Sequence, residues 1–294
     1  MKKLFLIPVI LLITIACKKT VIEFSDYAPI EGTIEDIVIE EGLQNYGIDL
    51  RETFKISGQE NRVLQHSITA NSNPSLVTAQ VDGDLLLLTI QLGLTGSARL
   101  TLRSESPSVF RETDFSLTVT PLEAKTAMER ARAFFREGEY ETSRGYFLLV
   151  TRKSNSALYA EAFMGSGFSK MRLEGDDPGY GDLIQSLAFD NGQADARAGL
   201  SLLEYAQKKN YREAIRLGKR VLAANPDYRF SLDPALDKND LRLNIALSQF
   251  ALGRYEECLA SIILLNPDFD ARAGDEDFTD RLLRELNRLT LLYG

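Results

Sequence analysis

The sequence predicts a two-domain protein in which an all-β domain precedes an all-α helical-repeat domain. Three observations support this fold class. Short alternating or β-branched segments, separated by turn residues, run from Ile34 to Val119. From Leu122 onward the apolar residues follow a helical period instead. Within that second region, segments of about 34 residues resemble one another, which is typical of stacked helical repeats.

The first residues have the pattern of a secretory signal. Lys2 and Lys3 precede an apolar run from Leu4 to Ala16 that ends in a small residue. As a helix this run would be roughly 20 Å long, which falls short of the hydrocarbon core of about 30 Å. We therefore predict a cleaved signal peptide over residues 1–16, a linker over residues 17–30 and no transmembrane helix.

The junction after the apolar run resembles the lipobox of bacterial lipoproteins. In Ile13-Thr14-Ile15-Ala16-Cys17 a small residue precedes a cysteine, although that family favours leucine where Thr14 stands. The resemblance implies that Cys17 is acylated and anchors an outer-membrane lipoprotein that faces the periplasm, with surface exposure left open. Two acyl chains would give stable anchoring. The alternative is an ordinary signal peptide with an incidental cysteine.

Composition argues against several classes of function. Without its signal the chain keeps 32 of its 34 basic residues beside 42 acidic ones, a formal charge of −10. We expect no nucleic-acid partner, because cationic side chains supply that affinity. The single histidine, His66, lacks the cysteine companions of a zinc site. Cys258 is expected to be a packed small side chain. We therefore predict no enzyme activity, no catalytic residue, no metal and no cofactor.

Residues 31–121 are expected to form about seven short strands that pack as a β-sandwich. Asp82-Gly83 is a hairpin signal between two apolar segments. The strand pattern resembles the cadherin-like and Ig-like domains of bacterial envelope proteins. Relatives of that kind that bind Ca²⁺ carry acidic clusters in their loops, whereas residues 57–61 and 104–107 offer one acid each. A calcium site is therefore not expected here.

Residues 122–294 contain a recurring turn that is followed by a tyrosine and then by polar and small residues. It occurs at Gly138-Glu139-Tyr140, Lys209-Asn210-Tyr211 and Gly253-Arg254-Tyr255. This pattern resembles the tetratricopeptide repeat (TPR) and implies a TPR-type α-helical solenoid of about four repeats. The copies, two of them degenerate, span Leu122–Val150, Leu158–Phe189, Ala198–Pro226 and Leu241–Pro267. The last apolar stripe, Phe278–Tyr293, predicts a capping helix.

The TPR resemblance implies a protein-interaction scaffold whose concave face is lined by the first helix of each repeat. Three arginines on that face would form a basic strip suited to an acidic peptide or a C-terminal carboxylate. The alternative is that these residues only pack helix against helix. The predicted partner-binding residues are Arg132, Phe135, Arg136, Arg172, Leu203, Gln207, Leu247 and Phe250.

Two other functions remain open at this point. A carbohydrate-capture lipoprotein of a nutrient-uptake system would also carry an N-terminal cysteine, but such proteins are much longer and use tryptophan for stacking, which this chain lacks. An outer-membrane assembly factor would share the repeats, although the preceding β domain is not part of that pattern. The sequence specifies neither the partner nor the envelope process.

Overall fold

The computed structural model describes residues 28–42, 44–58, 63–153, 156–173 and 179–293. The predicted signal peptide and the predicted lipid attachment site, Cys17, lie outside these residues. The first domain contains one short helix, α1 (Leu50–Thr53), between its third and fourth strands. The strands are β1 (Ile30–Glu31), β2 (Ile37–Glu40), β3 (Asn45–Asp49), β4 (Lys55–Ile56), β5 (Gln65–Asn71), β6 (Val77–Asp82), β7 (Leu85–Ile90), β8 (Gly96–Glu105) and β9 (Phe110–Thr120).

These strands form two main sheets and one small pair. The four-stranded sheet has the order β2-β9-β8-β5, and the three-stranded sheet has the order β3-β7-β6. Strand β2 runs parallel to β9, whereas the other pairs are antiparallel. The hairpin signal Asp82-Gly83 stands where it was predicted, between β6 and β7, and Gly83 has a positive φ of 60°. A positive φ at this point suits glycine, which carries no Cβ.

One hydrophobic core lies between the two sheets. Leu86 and Leu88 of β7 and Leu100 and Leu102 of β8 are fully buried and belong to the same cluster. Along β8 the buried positions alternate with more exposed ones. Successive side chains of a strand point to opposite faces, so this alternation directs one face of β8 into the shared core.

In the described part of the chain, the second domain contains nine α-helices and one short 3-10 helix (Ser156–Leu158), and successive α-helices pack against each other. Each helix contacts the next one in sequence. None of the helices that the structure describes is both long and apolar enough to cross a membrane. The helices are α2 (Ala124–Arg136), α3 (Tyr140–Thr151), α4 (Tyr159–Arg172), α5 (Tyr180–Phe189), α6 (Ala194–Ala206), α7 (Tyr211–Ala224), α8 (Lys238–Ala251), α9 (Tyr255–Ile263) and α10 (Phe278–Tyr293).

The recurring tyrosine marks the start of the second helix in each pair. Helices α3, α7 and α9 begin at Tyr140, Tyr211 and Tyr255, as the turn pattern predicted. Helix α5 also begins at a tyrosine, Tyr180, although the recurring turn pattern was not identified there. Its N-cap residue is Gly179, whose φ of 80° lies in the left-handed region that favours glycine.

Small side chains bring neighbouring helices close together, both within a pair and between pairs. A Cβ on Gly165 of α4 would meet the ring of Phe147 at 2.3 Å, and one on Gly199 of α6 would meet the ring of Phe168 at 2.9 Å. Ser143 of α3 donates its hydroxyl to the carbonyl of Ala131 across the first pair, at 2.8 Å. Bulkier residues would overpack these contacts. The helical domain is thus a TPR-type solenoid.

The β domain is attached to the first helix pair by a buried carboxylate. Glu41, which is only 1% exposed, accepts the backbone N–H of Leu122 at 2.9 Å and forms an ion pair with Lys153. Burial lowers the pKa of Lys153. A Cβ on Gly42 would lie 2.5 Å from the ring of Tyr146, so the backbone after β2 packs directly on α3. Contacts of this kind fix the two domains against each other.

Candidate functional site

The inner wall of the solenoid is formed by the first helix of each pair. Helices α2, α4, α6 and α8 contact one another in succession. Helix α10 packs on α8 and α9 and closes the series, as expected for a capping helix. In this arrangement the predicted partner-binding residues lie on the helices that form the wall.

A long loop between α7 and α8, residues Asn225–Asp237, folds onto this wall. The loop is closed by two backbone hydrogen bonds. Phe230 N–H donates to the carbonyl of Leu236 at 2.9 Å, and Lys238 N–H donates to the backbone carbonyl of Tyr228 at 2.9 Å. An isolated antiparallel bridge joins Arg229 to Asp237. The next helix then begins with a capping box made by Asp237 and Asp240. The loop is therefore an ordered element of the domain.

Three side chains of the loop enter the core of the helical domain. Tyr228, Phe230 and Leu232 are 1%, 1% and 2% exposed. They stand at alternating positions, and all three belong to the same buried cluster. The Phe230 ring stacks on Phe168 of α4 at 4.0 Å between centroids and meets Phe135 of α2 edge-on at 6.0 Å. The loop thus covers the wall along α2 and α4.

Polar contacts extend the cover to α6. Asp195 of α6 accepts the backbone N–H of Ser231 at 3.4 Å. Burial raises the pKa of Asp195, against the opposing effect of its hydrogen bond from Ser231. On α4, Arg172 pairs with Asp233 of the loop at 2.6 Å. One turn earlier on the same face, Phe168 makes the stacking contact, as i and i+4 positions do.

Several of the predicted partner-binding residues are engaged within the protein. Arg132 forms a two-pronged ion pair with Glu161, with both N–O distances at 2.6 Å. Arg172 is held by Asp233 of the loop, as described above. Phe135 and Leu203 are 2% and 5% exposed, so their side chains pack in the core instead of presenting a binding surface. Arg132 thus joins α2 to α4, Phe135 and Leu203 are buried and Arg172 contacts the loop, whereas their role in binding a partner stays a prediction.

The remaining predicted residues are more accessible. Gln207 is exposed at the end of α6. Leu247 and Phe250 are half-buried on α8, and the Phe250 ring meets Tyr255 at 5.4 Å. The ring contacts and ion pair of the loop, and its hydrogen bond to Asp195, reach α2, α4 and α6, whereas Leu247 and Phe250 lie further along the wall on α8. The wall therefore has a covered end and an uncovered end.

A cleft remains open where the loop meets the end of α2. Its volume is about 450 Å³. Arg136 is exposed in it and forms no ion pair within the described ranges of the chain. Arg172 does not line the cleft, but it pairs with Asp233, which does, so a second guanidinium group lies next to the cleft. The residues that line this Arg136 cleft are Phe135, Arg136, Tyr140, Ser231, Leu232, Asp233 and Pro234.

Sequence reasoning missed the loop. The repeat pattern ends one copy at Pro226 and begins the next at Leu241, so it assigns no structural role to residues 227–240. The available signal was the alternation of Tyr228, Phe230 and Leu232 with polar residues. In a connection between helices, such alternation indicates an extended segment with one apolar face.

The single histidine and the buried cysteine lie in different domains. His66 lies within β5, its Nδ1 2.8 Å from the hydroxyl of Ser104, and burial lowers its pKa. Cys258 is fully buried on α9, where burial raises its pKa to about 12. Among the residues that the structure describes, no group of three or more His, Cys, Asp or Glu side chains is arranged to hold a metal ion.

Comparison with known proteins gives only distant structural likenesses. No protein-family model matches the sequence, and no curated protein matches it. A structure of MamA (AMB-1) is 18% identical over 57% of this chain and 91% of that chain, with a TM-score of 0.41. A tetratricopeptide repeat protein from Parabacteroides merdae is 17% identical over 58% of this chain and 59% of that chain, with a TM-score of 0.38. Scores this low transfer no property to this chain, and its fold rests on its own contacts.

Proposed function

We propose that the protein is an interaction scaffold that binds an acidic segment of a partner protein at the Arg136 cleft. The observation that carries the proposal is an exposed arginine, Arg136, in an open cleft of about 450 Å³ on a solenoid wall. Guanidinium groups bind carboxylates through planar paired hydrogen bonds. Arg172 stands beside the cleft, although Asp233 already occupies it.

Surface chemistry supports an acidic segment over other ligands. The protein as a whole is acidic, with a formal charge of −8. A local excess of cationic groups at the cleft therefore stands out from the surrounding surface and would orient a carboxylate-bearing partner as it approaches. The aromatic edge of Tyr140 and the ring of Pro234 add apolar area beside Arg136.

The experiment compares charge reversal at Arg136 with charge reversal at a matched site. The chain from Lys18 is coupled to resin, and envelope proteins bound by the parent, by Arg136→Glu and by Arg212→Glu are quantified. Arg212 is exposed on α7 and forms no ion pair in the described part of the chain. A partner should be lost with Arg136→Glu and kept with Arg212→Glu. Equal recovery by both variants would refute the proposed cleft.

The same proposal places the scaffold in the cell envelope as a lipoprotein. Its basis is the signal pattern of residues 1–16 and the lipobox-like junction at Cys17, with the membrane attachment and an outer-membrane position facing the periplasm as its consequences. Metabolic labelling with a fatty acid tests it directly. The parent should incorporate label and sediment with membranes, whereas Cys17→Ser should do neither. Label on the Cys17→Ser protein would exclude this anchor.

For the β domain, we propose an Ig-like or cadherin-like sandwich that serves as a spacer between the anchor and the scaffold. The strand orders β2-β9-β8-β5 and β3-β7-β6, with one core between them, support this relationship. The contacts of Glu41 with Leu122 and Lys153 support the spacer role, because a fixed junction between the domains would hold the helical domain at a defined orientation.

A further inference from the structure

The loop of Asn225–Asp237 contacts the inner wall much as a bound peptide would. Its backbone hydrogen bonds are mostly internal, and Ser231 N–H to Asp195 is the one backbone contact to the wall within the described residues. The wall instead holds the loop through side chains, with Phe230 between α2 and α4 and Asp233 against Arg172. A separate peptide could reproduce such side-chain contacts.

We propose that the wall of α2, α4 and α6 is a peptide-binding groove that the protein's own loop keeps closed. The partner it fits is a segment with an aromatic residue, an aliphatic residue two positions later and an acidic residue next to it. That order is the order of Phe230, Leu232 and Asp233 in the loop. The inference rests on the proposed scaffold function and adds both the chemistry of the partner and a means of control.

Charge complementarity explains why a partner can compete with the loop. The loop presents one carboxylate, Asp233, to a rim that carries two guanidinium groups, Arg172 and Arg136. Asp233 pairs with Arg172 and leaves Arg136 exposed. A partner segment with a second acidic residue after the first would engage both arginines. It would therefore hold the rim more strongly than the loop does.

Exchange of the loop for a partner avoids the cost of an empty groove. A partner aromatic would fill the space between Phe135 and Phe168 that Phe230 leaves. The advantage of the loop is that it is tethered, which for short connections corresponds to an effective concentration in the millimolar range. The apparent dissociation constant of a partner is raised by the inverse of the fraction of molecules in which the groove is open. Weakening the loop should therefore strengthen binding in trans.

The test uses the loop itself as the probe. A fluorescent peptide with the sequence of residues 226–236 is titrated into three full mature chains that begin at Lys18, and anisotropy is measured. The first is the parent. The second has residues 226–237 replaced by a Gly/Ser linker of equal length, and the third carries Phe230→Ala. We expect saturable binding to both variants that is at least about tenfold tighter than binding to the parent, because the open fraction has risen.

Two matched controls define the site. The same peptide carrying F230A should bind the linker variant at least about tenfold more weakly, because the aromatic contact is lost. Adding Arg172→Glu to the linker variant should weaken its binding of the unchanged peptide. A peptide carrying D233K should restore the affinity for this variant. If the linker variant does not fold, as judged by circular dichroism, the Phe230→Ala chain alone decides the test.

The proposal is overturned if a folded open variant shows no saturable binding of the peptide. It is equally overturned if the parent binds the peptide as tightly as the open variants do, since the loop would then not close the groove. These results are independent of the Arg136→Glu experiment. A native partner that depends on Arg136 while the peptide fails to bind would leave the scaffold function standing and remove only the groove.

Discussion

The two ends of the helical domain are closed to different degrees. At the first end, the β domain packs on α3 through Gly42 and Glu41, and the loop of Asn225–Asp237 covers the wall. At the second end, α10 caps the stack, but Phe250 on the wall helix α8 remains partly exposed. One repeat architecture thus provides a sealed surface and an open one. The connections between α7 and α8 and between α9 and α10 are of similar length, 13 and 14 residues, so what differs between the ends is that the first of them folds over the wall.

The largest effect on the difference between the two ends is expected at Phe230, the aromatic residue of the loop that packs on α2 and α4. Phe230→Ala should lower the free energy of unfolding of the helical domain by about 3–5 kcal/mol, as expected for a buried Phe that leaves a cavity. Urea denaturation followed by circular dichroism measures the change. Phe250→Ala, on the uncovered wall, is the matched variant. Because Phe250 is only half-buried, its loss should be about half as large. Equal losses would mean that the loop does not seal the first end.

Two neighbouring glutamates, Glu40 and Glu41, test how strongly the β domain is attached to the helical domain. Glu41→Ala removes a buried acceptor from Leu122 N–H and leaves Lys153 unpaired. The expected loss in the free energy of unfolding is about 2–3 kcal/mol, as for hydrogen bonds that involve charged groups. Glu40→Ala removes an exposed ion pair with Arg130 and should cost at most about 1 kcal/mol. Thermal unfolding of both variants checks that Glu41→Ala is the more destabilising change. A larger loss for Glu40→Ala would contradict the role given to the buried carboxylate.

A pH series tests how the covered end holds Asp195. Burial raises its folded-state pKa above the unfolded value, so the native chain binds the proton more tightly. Stability is therefore greatest below the unfolded pKa of about 3.9 and falls as the pH rises through the folded-state pKa. Asp195→Asn carries no charge and escapes this loss. The variant should exceed the parent in stability at neutral pH, and its advantage should shrink as the pH falls.

The control for this series has the opposite sign. The hydrogen bond from Lys238 lowers the pKa of Asp227, which lies at the base of the same loop but is exposed. Asp227→Asn should therefore lose stability at neutral pH relative to the parent, and this difference should vanish in acid. If Asp195→Asn behaved like Asp227→Asn, the carboxylate of Asp195 would be stabilising when charged, and the account of the covered end would be wrong.

The sequence predicted the parts of the fold that local patterns encode. Tyr140, Tyr211 and Tyr255 mark helix starts because each follows a turn, and that signal lies within a few residues. Strands β6 and β7 were predicted from the two apolar segments on either side of Asp82-Gly83, a signal that is also local. The Ig-like or cadherin-like identity of the β domain stays a prediction, as does the fate of Cys17.

The state of the inner wall could not be predicted, because it depends on contacts between distant segments. Phe135 occupies a position that the repeat pattern assigns to the binding face. Whether it is free depends on Phe230, 95 positions further along the chain. The partners of Arg132 and Arg172 are likewise remote in sequence, at Glu161 and Asp233. A repeat pattern indicates which face a residue occupies but not what covers that face.

The smallest expected effect concerns the ion pair at the edge of the loop. The side chains of Arg172 and Asp233 are 42% and 30% exposed, so water screens most of their attraction. A double-mutant cycle of Arg172→Ala and Asp233→Ala should give a coupling energy of about 0.5 kcal/mol that declines in high salt. The same cycle on Arg216 and Glu213, one turn apart on α7, should give a similar value. If instead the Arg172–Asp233 coupling were several times larger and insensitive to salt, this pair would hold the loop down. Aromatic packing by Phe230 would then be the lesser part of the closure.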